Sequence, residues 1–186
     1  VAALAEARGP MEWVEWTPIE RAGVGYFEKE KCATCHTLGL ADEGKPGPNM
    51  GTGGVSRDVA WMVAHFKRPG VPIAMMSLKP NEMNALASFL IKLTPQNAVK
   101  MSEVPAFAWQ GALVYQKNQC GVCHQVNGVG MNNGPPLNGL AKRRKADWVK
   151  DHFKDPQKYD ADSTMPSYTF SAADEEAITA YLLALP

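Results

Sequence analysis

The four cysteines of this chain fall as two pairs with the same surroundings, Cys32-Ala33-Thr34-Cys35-His36 and Cys120-Gly121-Val122-Cys123-His124. Each pair is C-x-x-C followed at once by histidine, and no cysteine is left over. C-x-x-C-H is the covalent attachment pattern of a c-type haem. The two thiols add across the two vinyl groups of the porphyrin and become thioethers. A two-residue spacer on a helical turn sets both sulfurs along one haem edge, and the next residue supplies an imidazole to the iron. Three other readings use the same residues. A zinc ribbon pairs C-x-x-C units about 15–20 residues apart, whereas 84 residues lie between Cys35 and Cys120. A thioredoxin-like redox pair needs a βαβ context, and no such pattern is present. Disulfides suit the spacing but leave two histidines at identical offsets without a reason. Haem attachment at Cys32, Cys35, Cys120 and Cys123, with His36 and His124 as proximal ligands, accounts for all six residues.

The halves of the chain repeat. His36 and His124 are 88 residues apart, as are Gly23 and Gly111, and Phe27 and Tyr115. Downstream the offset becomes 87, relating Gly47-Pro48 to Gly134-Pro135, Arg57 to Arg144, Trp61 to Trp148, His65-Phe66-Lys67 to His152-Phe153-Lys154 and Pro69 to Pro156. Near the end of each half, residues 78–93 align with 170–185 at offset 92. One duplication with small loop insertions explains the series. The period is too long for a solenoid unit and suits one small domain per copy.

Each copy reads as helical. Trp16, Ile19, Gly23, Tyr26 and Phe27 recur at helical spacing, and the helix they mark runs into the first cysteine motif. Val59, Met62, Val63 and Phe66 mark a central helix ended by Pro69, and Trp148, Val149, His152 and Phe153 mark its copy before Pro156. Asn81 is expected to cap a helix over 82–91, and Ser171 one over 172–185 with acidic residues in its first turn. No strand-like alternation appears. The expected organisation is an N-terminal extension over 1–15, one domain over 16–93, a proline-bearing linker over 94–106 and a second domain over 107–186. A domain this small has a marginal core of its own, and a bound haem adds a large apolar body for it to fold around.

Composition narrows the function classes. Lys plus Arg number 19 and Asp plus Glu 19, for a net charge of zero, so the basic excess usual in a nucleic-acid binder is missing. No apolar run approaches the length of a membrane span. Residues 1–9 lack the layout of a signal peptide, so an exported form is expected to have lost its signal or anchor already.

Each haem needs a sixth ligand or an open site. The second copy offers Met165, 41 residues after His124, in Thr164-Met165-Pro166-Ser167-Tyr168. The first offers Met75 and Met76, 39 and 40 residues after His36. Matching Met75-Met76-Ser77-Leu78 to Met165-Pro166-Ser167-Tyr168 selects Met75, while offset alone leaves Met76 open. Methionine thioether is a soft neutral ligand, and His/Met ligation raises the potential of haem iron. With nine methionines in the chain, gap-filling in the core is the competing role.

The order C-x-x-C-H, Gly-Pro, a central-helix Trp, a loop Met and a C-terminal helix resembles class I cytochrome c, over residues 16–93 and again over 107–186. The whole resembles a two-domain, dihaem cytochrome c. The run Trp148 to Pro156 followed by Met165-Pro166 is similar to c-type domains attached to membrane quinol–cytochrome c oxidoreductases. The first copy departs from the family in having Met76 where proline usually follows the axial methionine. The resemblance implies an all-α fold of two tandem cytochrome c-like domains, each wrapped around a covalently bound haem. It also implies a periplasmic or otherwise extracytoplasmic location, because bacterial haem is attached outside the cytoplasm.

The function expected is electron transfer on two c-type haems with ligands His36 and Met75, and His124 and Met165, in a respiratory or photosynthetic chain. The protein is read as a carrier and not an enzyme. Its partners are donor and acceptor redox proteins, with a membrane quinol-oxidising complex as a candidate, and no nucleic acid. The alternative is the soluble haem domain of a larger quinol–cytochrome c oxidoreductase or oxidase subunit. A dihaem enzyme such as a peroxidase ranks below both, because two near-equal copies each with a loop methionine leave no open iron. His65 and His152 read as helix histidines, with iron ligation or a haem-propionate bond as alternatives. Arg57 and Arg144 suit either a propionate or solvent. Lys142-Arg143-Arg144-Lys145 reads as a solvated basic run, or one that docks an acidic partner. Trp61 and Trp148 read as core aromatics against the haem.

Overall fold

Thr17 opens the first helix, α1 (Pro18–Lys29), with a reciprocal cap: its hydroxyl accepts from the Glu20 backbone N–H at 3.4 Å, and the Glu20 carboxylate accepts from the Thr17 N–H at 3.0 Å. Proline at the first helical position has its φ already set for the turn. The computed structural model describes residues 16–37, 44–50, 57–67, 78–93 and 105–186. The 1–15 extension, residues 94–104 of the linker, and both Met75 and Met76 lie outside the described residues. The chain divides into two compact units, Trp16–Val104 and one built on Pro105–Pro186.

In the first unit α1 packs against α3 (Pro80–Ile91), and α2 (Val59–Phe66) packs on α3. Asp58 caps α2 by accepting from the Trp61 N–H at 2.7 Å. The start of α3 differs from the sequence expectation. Asn81 lies inside the first turn, and the cap is Lys79, whose N–H donates to the Glu82 carboxylate at 2.7 Å. Pro80 decides this, because its fixed φ favours the first helical position over one further in.

In the second unit α4 (Ala106–Lys117) packs against α7 (Ala172–Ala184), with α5 (Leu140–Arg143) and α6 (Ala146–Lys154) against α7. Ser171 caps α7 as expected, accepting from the Asp174 N–H at 3.1 Å. Among the described residues the fold is all-α; the one β-type pairing is an isolated bridge between Val126 and Val129.

The two helix pairs meet in the same way. A Cβ on Gly23 would lie 2.2 Å from the Ala85 carbonyl oxygen and 2.4 Å from the Phe89 Cβ. A Cβ on Gly111 would lie 2.3 Å from the Tyr181 Cβ and 2.4 Å from the Ala177 oxygen. Glycine at these positions lets the helix backbones approach closely enough for the next layer of side chains to pack. That layer is Phe27 edge-on to Phe89 at 5.8 Å, and Tyr115 edge-on to Tyr181 at 6.4 Å. All four rings are buried.

Candidate functional site

The helix pairs deliver the cysteine motifs. Two residues past the end of α1 the chain turns into the left-handed region at Lys31, φ 54°, and two past the end of α4 it does so at Gln119, φ 55°. Such a φ is uncommon for a residue with a Cβ. Here it reverses the chain so that one tight turn, Cys32–Thr34 or Cys120–Val122, follows at once. The turns have matching hydrogen bonds. His36 N–H donates to the Cys32 oxygen at 3.0 Å and His124 N–H to the Cys120 oxygen at 2.9 Å. Both cysteines and the histidine of each motif are thereby held on one short, closed piece of backbone.

The histidine rings are fixed from their other side. Nδ1 of His36 pairs with the Pro48 carbonyl at 3.0 Å, and Nδ1 of His124 with the Pro135 carbonyl at 2.9 Å. A carbonyl can only accept, so Nδ1 carries the proton and Nε2 presents its lone pair. The Gly-Pro loops close over the motifs through Gly47 N–H to the Cys35 oxygen and Gly134 N–H to the Cys123 oxygen, both 2.8 Å. Glycine is required there, since a Cβ would come within 2.5 Å of the His36 ring and 2.6 Å of the His124 ring. The repeated Gly-Pro pair was legible from its matching place in both halves. That its proline carbonyls orient the imidazoles was not, although their near-constant spacing from the histidines was a usable signal.

All four cysteines are half-buried free thiols. Burial pushes Cys32 and Cys120 up to about 11, with Glu30 adding to the effect at Cys32. Both are protonated at neutral pH, unlike a nucleophilic or metal-binding thiolate. Among the described residues no three His, Cys, Asp or Glu side chains converge as a metal-ion cluster. Two thiols and an imidazole whose Nε2 lone pair is free, on a single turn, would suit a c-type haem, and both units carry the same local arrangement.

In the second unit Met165 lies half-buried on a strap tied at both ends. Gln157 donates to the carbonyls of Ser163 at 2.9 Å and Met165 at 3.4 Å, and Tyr168 N–H donates to the Phe153 oxygen at 2.7 Å. The Tyr168 hydroxyl is pushed up by burial and then by Cys120 and Cys123. Tyr115 donates to the His124 oxygen at 3.0 Å. Gln157, Tyr168 and Tyr115 are supporting residues that no motif announced.

Trp148 and His152 stack along α6 with Arg144, from extended backbone just before the helix, laid on the indole: the guanidinium is 4.5 Å from the indole centroid and the imidazole 4.5 Å from it on a nearly parallel plane. Arg57, Trp61 and His65 repeat the arrangement at 5.0 Å and 5.0 Å. The guanidinium groups therefore lie against indole faces, an arrangement the sequence reading had not included. Trp61 is not a core residue, being 43% exposed. Tyr159 packs on Trp148 at 5.0 Å, and the residue matching it at offset 87 is Pro72. His152 has a buried Nδ1 without a hydrogen-bond partner. Burial lowers its pKa, with His124 and Arg144 adding and Asp160 opposing.

Residues 108–186 match the protein family Cytochrome c. The match lies within the second unit. The chain is also 33% identical over 85 residues to "Cytochrome c oxidase subunit 2" of Alkalihalophilus pseudofirmus, covering 41% of this chain and 25% of that protein. It thus spans about a quarter of the length of that curated relative. No solved structure matches the chain.

Proposed function

We propose that the chain is a dihaem electron-transfer protein. The supporting observation is that both motifs fold into the same turn, with the same proline carbonyl on each imidazole and the same glycine beneath it. Cys32 and Cys35 hold one haem by thioethers, and Cys120 and Cys123 the other. His36 and His124 are the proximal ligands. Met165, and Met75 by its matching position, complete the coordination. The haem iron supplies one-electron chemistry, cycling between Fe(III) and Fe(II). The protein's own residues supply orientation and tuning. The proline carbonyls fix the imidazole tautomer and raise its basicity, the thioethers keep the cofactor through both oxidation states, and the methionines favour a high potential.

Redox proteins on either side are the partners, at the outer face of the membrane or in the periplasm. Similarity to a protein named as an oxidase subunit favours a second context for the same chemistry, the haem-bearing part of a larger oxidoreductase complex. A redox titration followed by visible spectra tests the reading. Two low-spin His/Met haems, each taking one electron, are expected. Loss of one such spectrum in Met165→Ala and of the other in Met75→Ala identifies the ligands, whereas loss in Met76→Ala reassigns the first. A mass corresponding to one haem or none overturns the dihaem proposal.

A further inference from the structure

Three Asn-Gly steps occur in the chain, and all lie in the loop that follows the second cysteine motif: Asn127-Gly128, Asn133-Gly134 and Asn138-Gly139. Glycine after asparagine exposes the side-chain amide to attack by the next backbone nitrogen, because the chain there rotates freely and no Cβ stands in the way. The fold guards the three steps differently. Asn127 and Asn138 guard each other. The Asn138 amide donates to the Asn127 Oδ1 at 2.6 Å, and the Asn138 Oδ1 accepts from the Asn127 N–H at 2.8 Å. Both residues are half-buried. Asn127 and Gly128 are also the central residues of a tight turn, at φ 51° and 76°, closed by reciprocal backbone bonds between Val126 and Val129 at 3.0 Å. Asn133 is exposed. Its amide donates to the Val122 oxygen at 3.5 Å, beyond the usual range for such a bond. What guards it is the backbone, where Gly134 N–H donates to the Cys123 oxygen at 2.8 Å.

We propose that Asn133 is a site of spontaneous deamidation in the folded protein, modified ahead of Asn127 and Asn138, and that the product displaces His124. Breaking one good hydrogen bond frees the Gly134 nitrogen, whereas the paired amides must part at both contacts before Asn127 or Asn138 can react. The Gly134 nitrogen gives up its proton to water or hydroxide and attacks Cγ of Asn133. A bond from that nitrogen to Cγ forms, the Cγ–Nδ2 bond breaks, and Nδ2 leaves as ammonia. Water then opens the succinimide at either carbonyl, giving aspartate or isoaspartate. Net, one water is consumed and one ammonia released, and nothing is oxidised or reduced. Isoaspartate routes the main chain through the side-chain carbon, which adds a methylene immediately before Gly134. That glycine lies against the His124 ring, where a Cβ would come within 2.6 Å of Cε1. It also precedes Pro135, whose carbonyl holds Nδ1 of His124 at 2.9 Å. A longer chain at this point shifts both. The effect on His124 rests on the haem reading of Cys120, Cys123 and His124.

The test holds the full haem-loaded chain in mildly alkaline buffer and maps digests by mass spectrometry for the gain of one mass unit at each asparagine. The same chain unfolded in urea gives the rates without the fold. In the folded chain the rate at Asn133 is expected to exceed those at Asn127 and Asn138 by about fivefold or more, the factor set by one further hydrogen bond to be broken. In urea the three rates are expected to lie close together. One of the two haem spectra changes in step with the modified fraction. Asn133→Gln, whose longer side chain closes a ring far more slowly, removes the early release of ammonia and keeps that spectrum steady over the same period. First modification at Asn127 or Asn138, equal rates at the three sites in the folded chain, or no gain at Asn133 while the unfolded chain is fully converted overturns the proposal. Modification of Asn133 with both spectra unchanged overturns its effect on His124. A second unit without covalent haem by mass overturns the functional reading itself, and the same digests still rank the three asparagines.

Discussion

His124 is held between a proline carbonyl and the backbone of a glycine, so its ring has one orientation available. Gly134→Ala places a methyl carbon about 2.6 Å from Cε1 of that ring. The imidazole must shift and weaken its bond to Pro135. Overpacking of this kind costs about 1–3 kcal/mol. Thermal unfolding is expected to fall accordingly, and one of the two haem spectra to lose its low-spin character. His152 carries a different liability. Its pKa is lowered in the folded chain, chiefly by burial, so the unfolded chain binds the proton more readily. The associated stability is fully present above the unfolded value of 6.5 and is lost as pH falls through the lower folded one. His152→Gln is expected to flatten denaturant-measured stability against pH below neutrality. An unchanged slope would rule out His152 as its source.

At the scale of elements, the paired helices of each unit depend on one close approach. Replacing glycine by alanine inside a helix ordinarily gains about 1 kcal/mol from propensity. At Gly111 the new methyl would meet the Tyr181 Cβ and the Ala177 carbonyl at contact distances that real atoms do not adopt, and α4 must move away from α7. The steric loss outweighs the gain, so Gly111→Ala is expected to destabilise the second unit by about 1–3 kcal/mol in chemical denaturation. Stabilisation would mean that the helices do not meet at this glycine. The Arg–Trp–His stacks belong to the same scale. Trp148 and His152 stand at i and i+4 on α6, spacing that brings side chains over one another on a helix, while Arg144 reaches the indole from extended backbone ahead of it.

For the whole molecule, the duplicated site predicts independence. Cys120→Ala with Cys123→Ala is expected to remove the mass of one haem while leaving the first unit's spectrum in place, and the Cys32, Cys35 pair to do the converse. Loss of both haems from either variant would refute one haem per unit. Charge also changes at this scale. The polypeptide balances at zero; on the dihaem proposal, four ionised propionates on two haems would bring the loaded protein to about −4 with both irons ferrous and about −2 with both ferric. That weak overall field leaves partner choice to local surfaces, and the two units differ in these.

Spacing along the chain carried the two C-x-x-C-H motifs and the helical character of both halves. Thiol and imidazole spacing along a turn is a local property, and helical periodicity and most caps are local as well. Cys32, Cys35, His36 and their second-unit counterparts were therefore legible as a set before any fold was known. The tertiary structure decided what depends on segments brought together from a distance: proline carbonyls aimed at imidazoles, glycines set against those rings, and Tyr168 tied to Phe153. Trp61 and Trp148 occupy the same place in the repeat, and a folded loop brings Tyr159 over Trp148. Burial is a property of neighbours in space, and a pattern along the chain does not contain it.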